Sequence, residues 1–510
     1  MSSILTNTSA MVALQTLKSI NSNLGKVQNE ISTGKSIATA KDNAAVWAIS
    51  KVMDSDVKGF KAISDSLGLG SSTLAVARET SESVTDQLVE MKKKIVSAQE
   101  QNVDRAKIQT DIVAIRDQIA NNVRAAQFSG LNLVSGTEDV NFLASLDRSA
   151  DGVAASHITV QRQDLGTTAG VYGSGASLAA NATASAATTA AAGKTAELTF
   201  AGTWAAADTA EITIGGVVVN HTVETGADTV TDIATAMAGK INALGLEGVT
   251  AANAAGVLTI TSTRSFEGLQ VTQNATSAGG GTSDITDVNG AAPSGDNTAA
   301  ASTIDQRAET LSFSTSAKVN DGDGYRVTIG TSSYTYVAGK GQSMEDVARG
   351  LKIAIDSGNP EGVTTKVTKD ADTGAWTLSI DNDGTGASSL ALSATGNAEG
   401  KASGGLFGLD SIDVTTNEGA AAALANIETM IQRGINASAA FGSAQGRIDT
   451  QSKFVSSLTD ALVAGIGTLV DADMEEASAK LQALQVQQQL GTQSLSIANQ
   501  QPQNLLSLFR

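Results

Sequence analysis

The 510-residue chain contains no cysteine, only three prolines and only 3% aromatic residues. Without cysteine there are no disulfides and no thiolate chemistry, although the compartment stays open. The prolines, Pro293, Pro360 and Pro502, lie outside the helical patterns described below, so none forces a kink in them. So few aromatics disfavour a ring-lined small-molecule pocket. The two histidines, His157 and His221, stand apart from any metal-binding spacing, and no phosphate-cradling Gly-x-x-x-x-Gly-Lys-Ser/Thr occurs. His221 with Glu224 reads as ordinary strand or turn surface. Asp321-Gly-Asp323-Gly and Asp381-Asn-Asp383-Gly begin like calcium loops but lack the bidentate glutamate at the far end, and read as hairpin turns. The residues therefore predict no enzyme, no cofactor and no metal. No basic stretch followed by an apolar block opens the sequence. The most apolar run, Ala461–Val470, is too short for membrane insertion. On these grounds alone the chain reads as cytosolic.

At this length one hydrophobic core does not suffice, and three or four domains are expected. Of the net charge of −18, most lies in the middle: Glu197 to Asp413 hold 26 acidic and 11 basic residues, a net −15. Such a balance makes nucleic acid a poor partner and suits a solvated outer surface. The ends are nearly neutral, as suits segments that stack against copies of themselves, because like charges brought close repel.

The positive signal is helical periodicity at both ends. Ala13, Leu17, Ile20, Leu24, Val27 and Ile31 alternate steps of three and four; Val470, Met474, Ala477, Leu481, Leu484, Gln488, Gly491, Leu495 and Ala498 do the same. That spacing places each set on one stripe, the seam of a coiled coil. A second stripe on the last helix, Val486, Leu490 and Ile497, predicts burial on more than one side. The first helix is expected to loosen at Gly25 and close at Gly34. A helix around 44–64 is expected to break at Gly68 and Gly70 before the ladder Leu74, Ala77, Ser81, Val84, Leu88, Met91, Ile95, Ala98. Asp104 can cap a third helix with the stripe Ile108, Ile112, Ile115, Ile119. From Leu424 to Leu469 the same beat, through Ile448 and Val455, spans 46 residues, about 70 Å as one helix, with Gly442 and Gly446 as possible breaks. A phase slip at Asp471–Asp473 marks a boundary between packing units.

Between the helical ends the sequence is duplicated. Ala210-Glu-Ile-Thr-Ile-Gly215 returns as Tyr325-Arg-Val-Thr-Ile-Gly330, Glu247-Gly-Val-Thr250 as Glu361-Gly-Val-Thr364, and Val257-Leu-Thr-Ile260 as Thr377-Leu-Ser-Ile380, at an offset of roughly 115 residues. Each copy reads β-β-α-β-β, with a capped helix from Thr229 or Ser343. Ala/Ser/Thr-rich segments, 174–194 and 276–308, read as linkers.

Ile4-Leu-Thr-Asn7, Glu30-Ile-Ser-Thr-Gly-Lys35, Ala40-Lys-Asp-Asn-Ala-Ala45 and Gln127-Phe-Ser-Gly-Leu131 resemble the amino-terminal signature of bacterial flagellins. Val470-Asp-Ala-Asp-Met474, Ala498-Asn-Gln500 and Pro502-Gln-Asn-Leu-Leu-Ser-Leu-Phe-Arg510 resemble the family's carboxy terminus. Two places depart from it. Glu90 and the lysine run of Leu88–Ile95 do not fit the Arg-containing stretch that many flagellins present to the animal innate receptor, and Trp47 stands where better-known members are small.

The resemblance implies an α + β multidomain chain: coiled-coil-like helical terminal domains with inserted β-rich outer domains built from the duplicated ββαββ unit. Residues 1–40 plus 466–510 would form the inner assembly domain, 41–173 plus 415–465 a helical bundle domain with some β, and 195–275 and 309–414 the outer repeats. It implies a structural protein, exported through the flagellar type III machinery and polymerised outside the cell into the flagellar filament. Subunit assembly is assigned to Leu17, Ile20, Leu24, Val27, Ile31, Leu481, Leu484, Leu490 and Leu495. Second-domain packing is assigned to Leu74, Leu88, Met91, Ile95, Ile108, Ile112, Ile115, Ile119, Ile448 and Val455. Leu505, Leu506, Leu508, Phe509 and Arg510 align with the region held by the flagellar export chaperone. Hook-associated and cap proteins would be further partners. A hook–filament junction protein, which shares the terminal helices, and an adhesin acting through the outer domains are the alternatives.

Overall fold

Asn7 opens the first helix: its Oδ1 accepts the Ala10 N–H at 2.9 Å. The computed structural model describes residues 7–149, 152–224, 228–293, 301–384 and 389–508. Helix α1 (Thr8–Thr33) runs intact through Gly25 and ends where Gly34, at φ +68°, turns the chain off. The other described α-helices are α2 (Ala44–Ser97), α3 (Arg105–Ala125), α4 (Val230–Ala243), α5 (Met344–Gly358), α6 (Asn417–Val470) and α7 (Met474–Leu508). The chain forms two compact units: Met1–Leu74 with Val140–Val160 and Ser443–Arg510, and Ala75–Asp139 with Gln161–Gly442.

After α3 comes a small hairpin, β1 (Gln127–Phe128) and β2 (Leu131–Asn132), turned by Ser129 and Gly130 at positive φ. In the first unit, β3 (Val140–Ser149) and β4 (Gly152–Val160) make a long antiparallel hairpin with a bulge between Leu143 and Ser145. The expected break at Gly68 and Gly70 does not occur, and the hairpin supplies a reason for Gly70. A Cβ on Gly70 would lie 2.9 Å from Phe142 Cδ1, and one on Gly59 2.7 Å from Leu146 Cδ1. These glycines admit hairpin side chains against an unbroken α2. Likewise α6 continues through Gly442 and Gly446. The helix does stop at Asp471–Asp473, where the sequence phase slips.

In the second unit, the α2 stripe Ala77, Ser81, Val84, Leu88, Met91, Ile95 is at most 1% exposed. Beside it, Lys94 of α2 pairs with Asp111 of α3 at 2.7 Å, and Gly434 of α6 lets Thr85 come close. Asp104 caps α3 by accepting the Lys107 N–H.

The outer repeats occupy the same unit. The first holds β7 (Lys194–Ala201), β8 (Thr209–Ile214), β9 (Val217–Thr222), α4, β10 (Val249–Ala254), β11 (Val257–Ser262) and β12 (Leu269–Thr276). It also holds β13 (Thr282–Val288) and β14 (Ala301–Ile304). Its sheets run β10-β11-β7-β13 and β14-β12-β8-β9. The second repeat holds β15 (Glu309–Phe313), β16 (Gly324–Ile329), β17 (Ser332–Val337), α5, β18 (Val363–Lys369), β19 (Trp376–Asn382) and β20 (Leu390–Asn397). Its sheets run β18-β19-β15-β5 and β17-β16-β20-β6, where β5 is Ala182–Ala184 and β6 is Thr188–Thr189.

Here the structure departs from the sequence expectation. The segments 174–194 and 276–308 are not plain linkers, because each supplies the fourth strand of two sheets. The strands come from opposite sides: β13 and β14 follow the first repeat's core, whereas β5 and β6 precede the first repeat altogether. The first repeat is therefore inserted within the second. Its entry and exit lie together, with Lys194 Nζ 3.0 Å from Glu309 Oε1. Ala/Ser/Thr chains fail to fold alone but complete an existing sheet edge, which supplies the missing hydrogen-bond partners.

The copies agree in detail. Asp208 Oδ2 accepts the Ala205 N–H at 2.7 Å and Asp323 Oδ2 the Asn320 N–H at 2.8 Å, closing equivalent turns. Asp323 is thus a turn residue. Asp381 is buried against Arg307, whose Nε and Nη2 donate to its two carboxylate oxygens at 2.8 and 2.6 Å. His221 meets Asp228, at 3.0 Å.

Candidate assembly interface

The first unit brings the two ends of the sequence together. α1 and α7 run antiparallel. Where they meet the rest of the chain, Ala472 N–H donates to Gly34 O at 3.0 Å and Ser36 N–H to Val470 O at 2.8 Å. Midway, Gln488 Nε2 donates to Asn21 Oδ1 at 2.7 Å. Gly491 allows close approach, since a Cβ there would sit 3.3 Å from Leu17 Cδ1. At the far end Asn7 serves twice, capping α1 through Oδ1 and donating from Nδ2 to Ala498 O at 2.8 Å.

Two helices cannot by themselves close a dry core. Of the assembly residues named above, Val27 is buried at 7% exposure. Leu17, Ile20, Leu24, Ile31, Leu481, Leu484 and Leu495 are half-buried on facing stripes. Leu490 is 57% exposed, and its companions Val486 and Ile497 are 56% and 61% exposed. Within one chain, therefore, the second stripe is not covered, which corrects the expectation of burial on two sides for the isolated subunit.

Sequence periodicity missed several exposed apolar residues of this unit. On α1 these are Met11, Val12 and Leu14; on α2, Ile49 and Val52; on α6, Phe454 and Val463. Their signal was present but weak: large apolar residues off the main stripe of otherwise polar helices. An isolated exposed leucine means nothing, but apolar residues recurring along helices mark an interaction surface. The charges nearby are few. Glu476 beside Lys480, at 2.7 Å, holds the lysine's pKa above its ordinary value, an exposed pair of small energetic weight.

Of the second-domain packing residues, Leu88, Met91, Ile95, Ile112 and Ile119 are buried and Ile108 and Ile115 half-buried in the second unit. Leu74, Ile448 and Val455 are also buried but belong to the first unit, since α2 and α6 each contribute residues to both. In the carboxy-terminal segment, Leu505, Leu506 and Leu508 continue the α7 backbone; Phe509 and Arg510 lie outside the described residues, as do Ile4, Leu5 and Thr6.

Comparison with known proteins decides the family. The family model for the bacterial flagellin N-terminal helical region matches residues 4–139, and that for the C-terminal helical region matches 424–509. Flagellin A of Rhizobium meliloti is 30% identical over 516 residues, covering 100% of both chains. The chain belongs to the flagellin family. A flagellin of Brucella melitensis is 42% identical over 166 residues, 32% of this chain and 59% of that one. Among solved structures, flagellar hook associated protein-3 of Legionella pneumophila matches at 10% identity and a TM-score of 0.32, covering 82% of this chain and 98% of that chain. Membership makes this flagellin a structural subunit of the bacterial flagellum, associated with other flagellar proteins.

Proposed function

We propose that this flagellin polymerises through α1 and α7 into the flagellar filament and so serves swimming motility. The observation that carries the reading is the half-buried stripe of the α1–α7 pair together with the exposed Leu490, Val486 and Ile497. A pair so incompletely covered gains most from neighbours of its own kind, since burial of apolar area is the main favourable term in association. In this reading Leu17, Ile20, Leu24, Val27, Ile31, Leu481, Leu484, Leu490 and Leu495 form the subunit contacts. The segment from Leu505 to Arg510 is held by the export chaperone before passage through the type III machinery, and the cap and hook-associated proteins meet the finished ends.

The test is seeded growth. Purified monomer is added to short filament fragments in a precipitating salt and viewed by electron microscopy, beside a chain lacking 1–40 and 472–510. Long filaments from the full chain only are expected. Capping of the seeds without elongation would overturn the reading in favour of a hook–filament junction protein.

A further inference from the structure

A lysine, an aspartate and an asparagine meet in the second unit in an arrangement that ordinary packing does not require. Lys352 and Asp356 are one turn apart on α5, and Asn426 projects from α6. Lys352 Nζ lies 2.5 Å from Asp356 Oδ2 and 3.0 Å from Asn426 Oδ1. Asn426 Nδ2 donates to Asp356 Oδ2 at 2.9 Å, and Thr365 Oγ1 holds the other carboxylate oxygen at 2.6 Å. Lys352 is 8% exposed and Asn426 6%, and the Asp356 side chain is 7% exposed. One carboxylate oxygen thus touches both the amine and the amide nitrogen, while the amine touches the amide oxygen.

We propose that this triad forms an isopeptide bond between Lys352 and Asn426, with Asp356 carrying the protons. Asp356 takes a proton from the Lys352 ammonium, freeing the Nζ lone pair. Nζ adds to Asn426 Cγ. As the tetrahedral centre collapses, the Cγ–Nδ2 bond breaks, Asp356 returns its proton to the departing nitrogen, and Nζ gives that nitrogen a second. Of the three lysine ammonium protons, one stays on the new amide and two leave with Nδ2 as ammonium, so charge is conserved and no oxidant or cofactor is consumed. Both electrophile and nucleophile are already in place, so orientation supplies much of what a bimolecular aminolysis lacks. The three residues also line a cavity of about 590 Å³, which gives the ammonium a way out. The product ties the helix of the second outer repeat covalently to α6.

Intact-mass spectrometry of the folded full-length chain tests this. Expected is a mass lower than the sequence mass by about 17 Da, one ammonia. Trypsin should then fail to cut after Lys352 and release Gly350–Lys366 joined to Ala402–Arg433. Asn426→Ala and Asp356→Asn should each show only the mass change of the substitution. Succinimide formation at Asn289-Gly290 would lose the same mass, and locating the loss there would refute the proposal. So would an unchanged wild-type mass, which leaves the triad a non-covalent anchor. The wild-type result decides even if a variant fails to fold.

Discussion

Substitutions at Leu490 test the proposed assembly surface separately from folding. The leucine side chain is 57% exposed in the single chain. Full burial of a leucine stabilises by about 1.5–3 kcal/mol, so covering the exposed share contributes about 1 kcal/mol per subunit. Leu490→Ala forfeits most of that and should raise the critical concentration for polymerisation about fivefold. Leu490→Asp adds the cost of desolvating a carboxylate without a partner, several kcal/mol, and should raise it more than about 100-fold. The monomer should barely notice either change, because exposed substitutions stay within about 0.5 kcal/mol. The assay is sedimentation of seeded filaments across a monomer dilution series, with thermal unfolding of the monomer measured alongside. Unchanged critical concentrations for both variants would refute the placing of Leu490 at a subunit contact. A lowered monomer melting temperature would show instead that it packs within the chain.

Three further outcomes are expected. Deleting 194–304 removes an inserted domain whose ends meet, so circular dichroism should show the remainder folded, whereas deleting 309–397 strands β5 and β6 without partners and should lose that domain's cooperative unfolding. Asp381→Ala leaves Arg307 buried and unpaired, and urea unfolding should report a loss of about 3–5 kcal/mol; Asp381→Leu with Arg307→Met should recover most of it. Asp208 is held down to about 2 from its ordinary value, first by the Ser277 hydroxyl and then by the Ala205 and Ala278 N–H groups. A lowered folded pKa stabilises above the unfolded value and is lost as pH falls through the folded one. Asp208→Asn should therefore lower the melting temperature of the first repeat at pH 7, with the gap from wild type closing between about pH 4 and 2.

Much of this molecule was legible along the chain, because helices write their packing into local periodicity. The ladder from Leu74 to Ala98, the cap at Asp104, the halt at Asp471–Asp473 and the α1–α7 stripes could all be read from spacings of three and four. The duplication and both capped helices, at Thr229 and Ser343, were equally local. Glycine misled: Gly68 and Gly70 weaken a helix in isolation, yet α2 runs whole through both, and Gly70 makes room for Phe142. Strand partners were not legible. Nothing in Ala182-Thr-Ala184 or Thr188-Thr189 names a sheet on the far side of an entire domain, because any short β-compatible segment satisfies an open edge and chain connectivity alone does not choose which. The same holds for Lys352, Asp356 and Asn426: the first two are neighbours on one helix turn, but the third arrives from 70 residues beyond Asp356. Sequence by itself determined the family, the helical ends and the repeated outer unit. Only the tertiary structure decided how the repeats nest, which stripe stays exposed in the single chain, and where a buried amine faces an amide, since each depends on contacts between segments far apart in the chain.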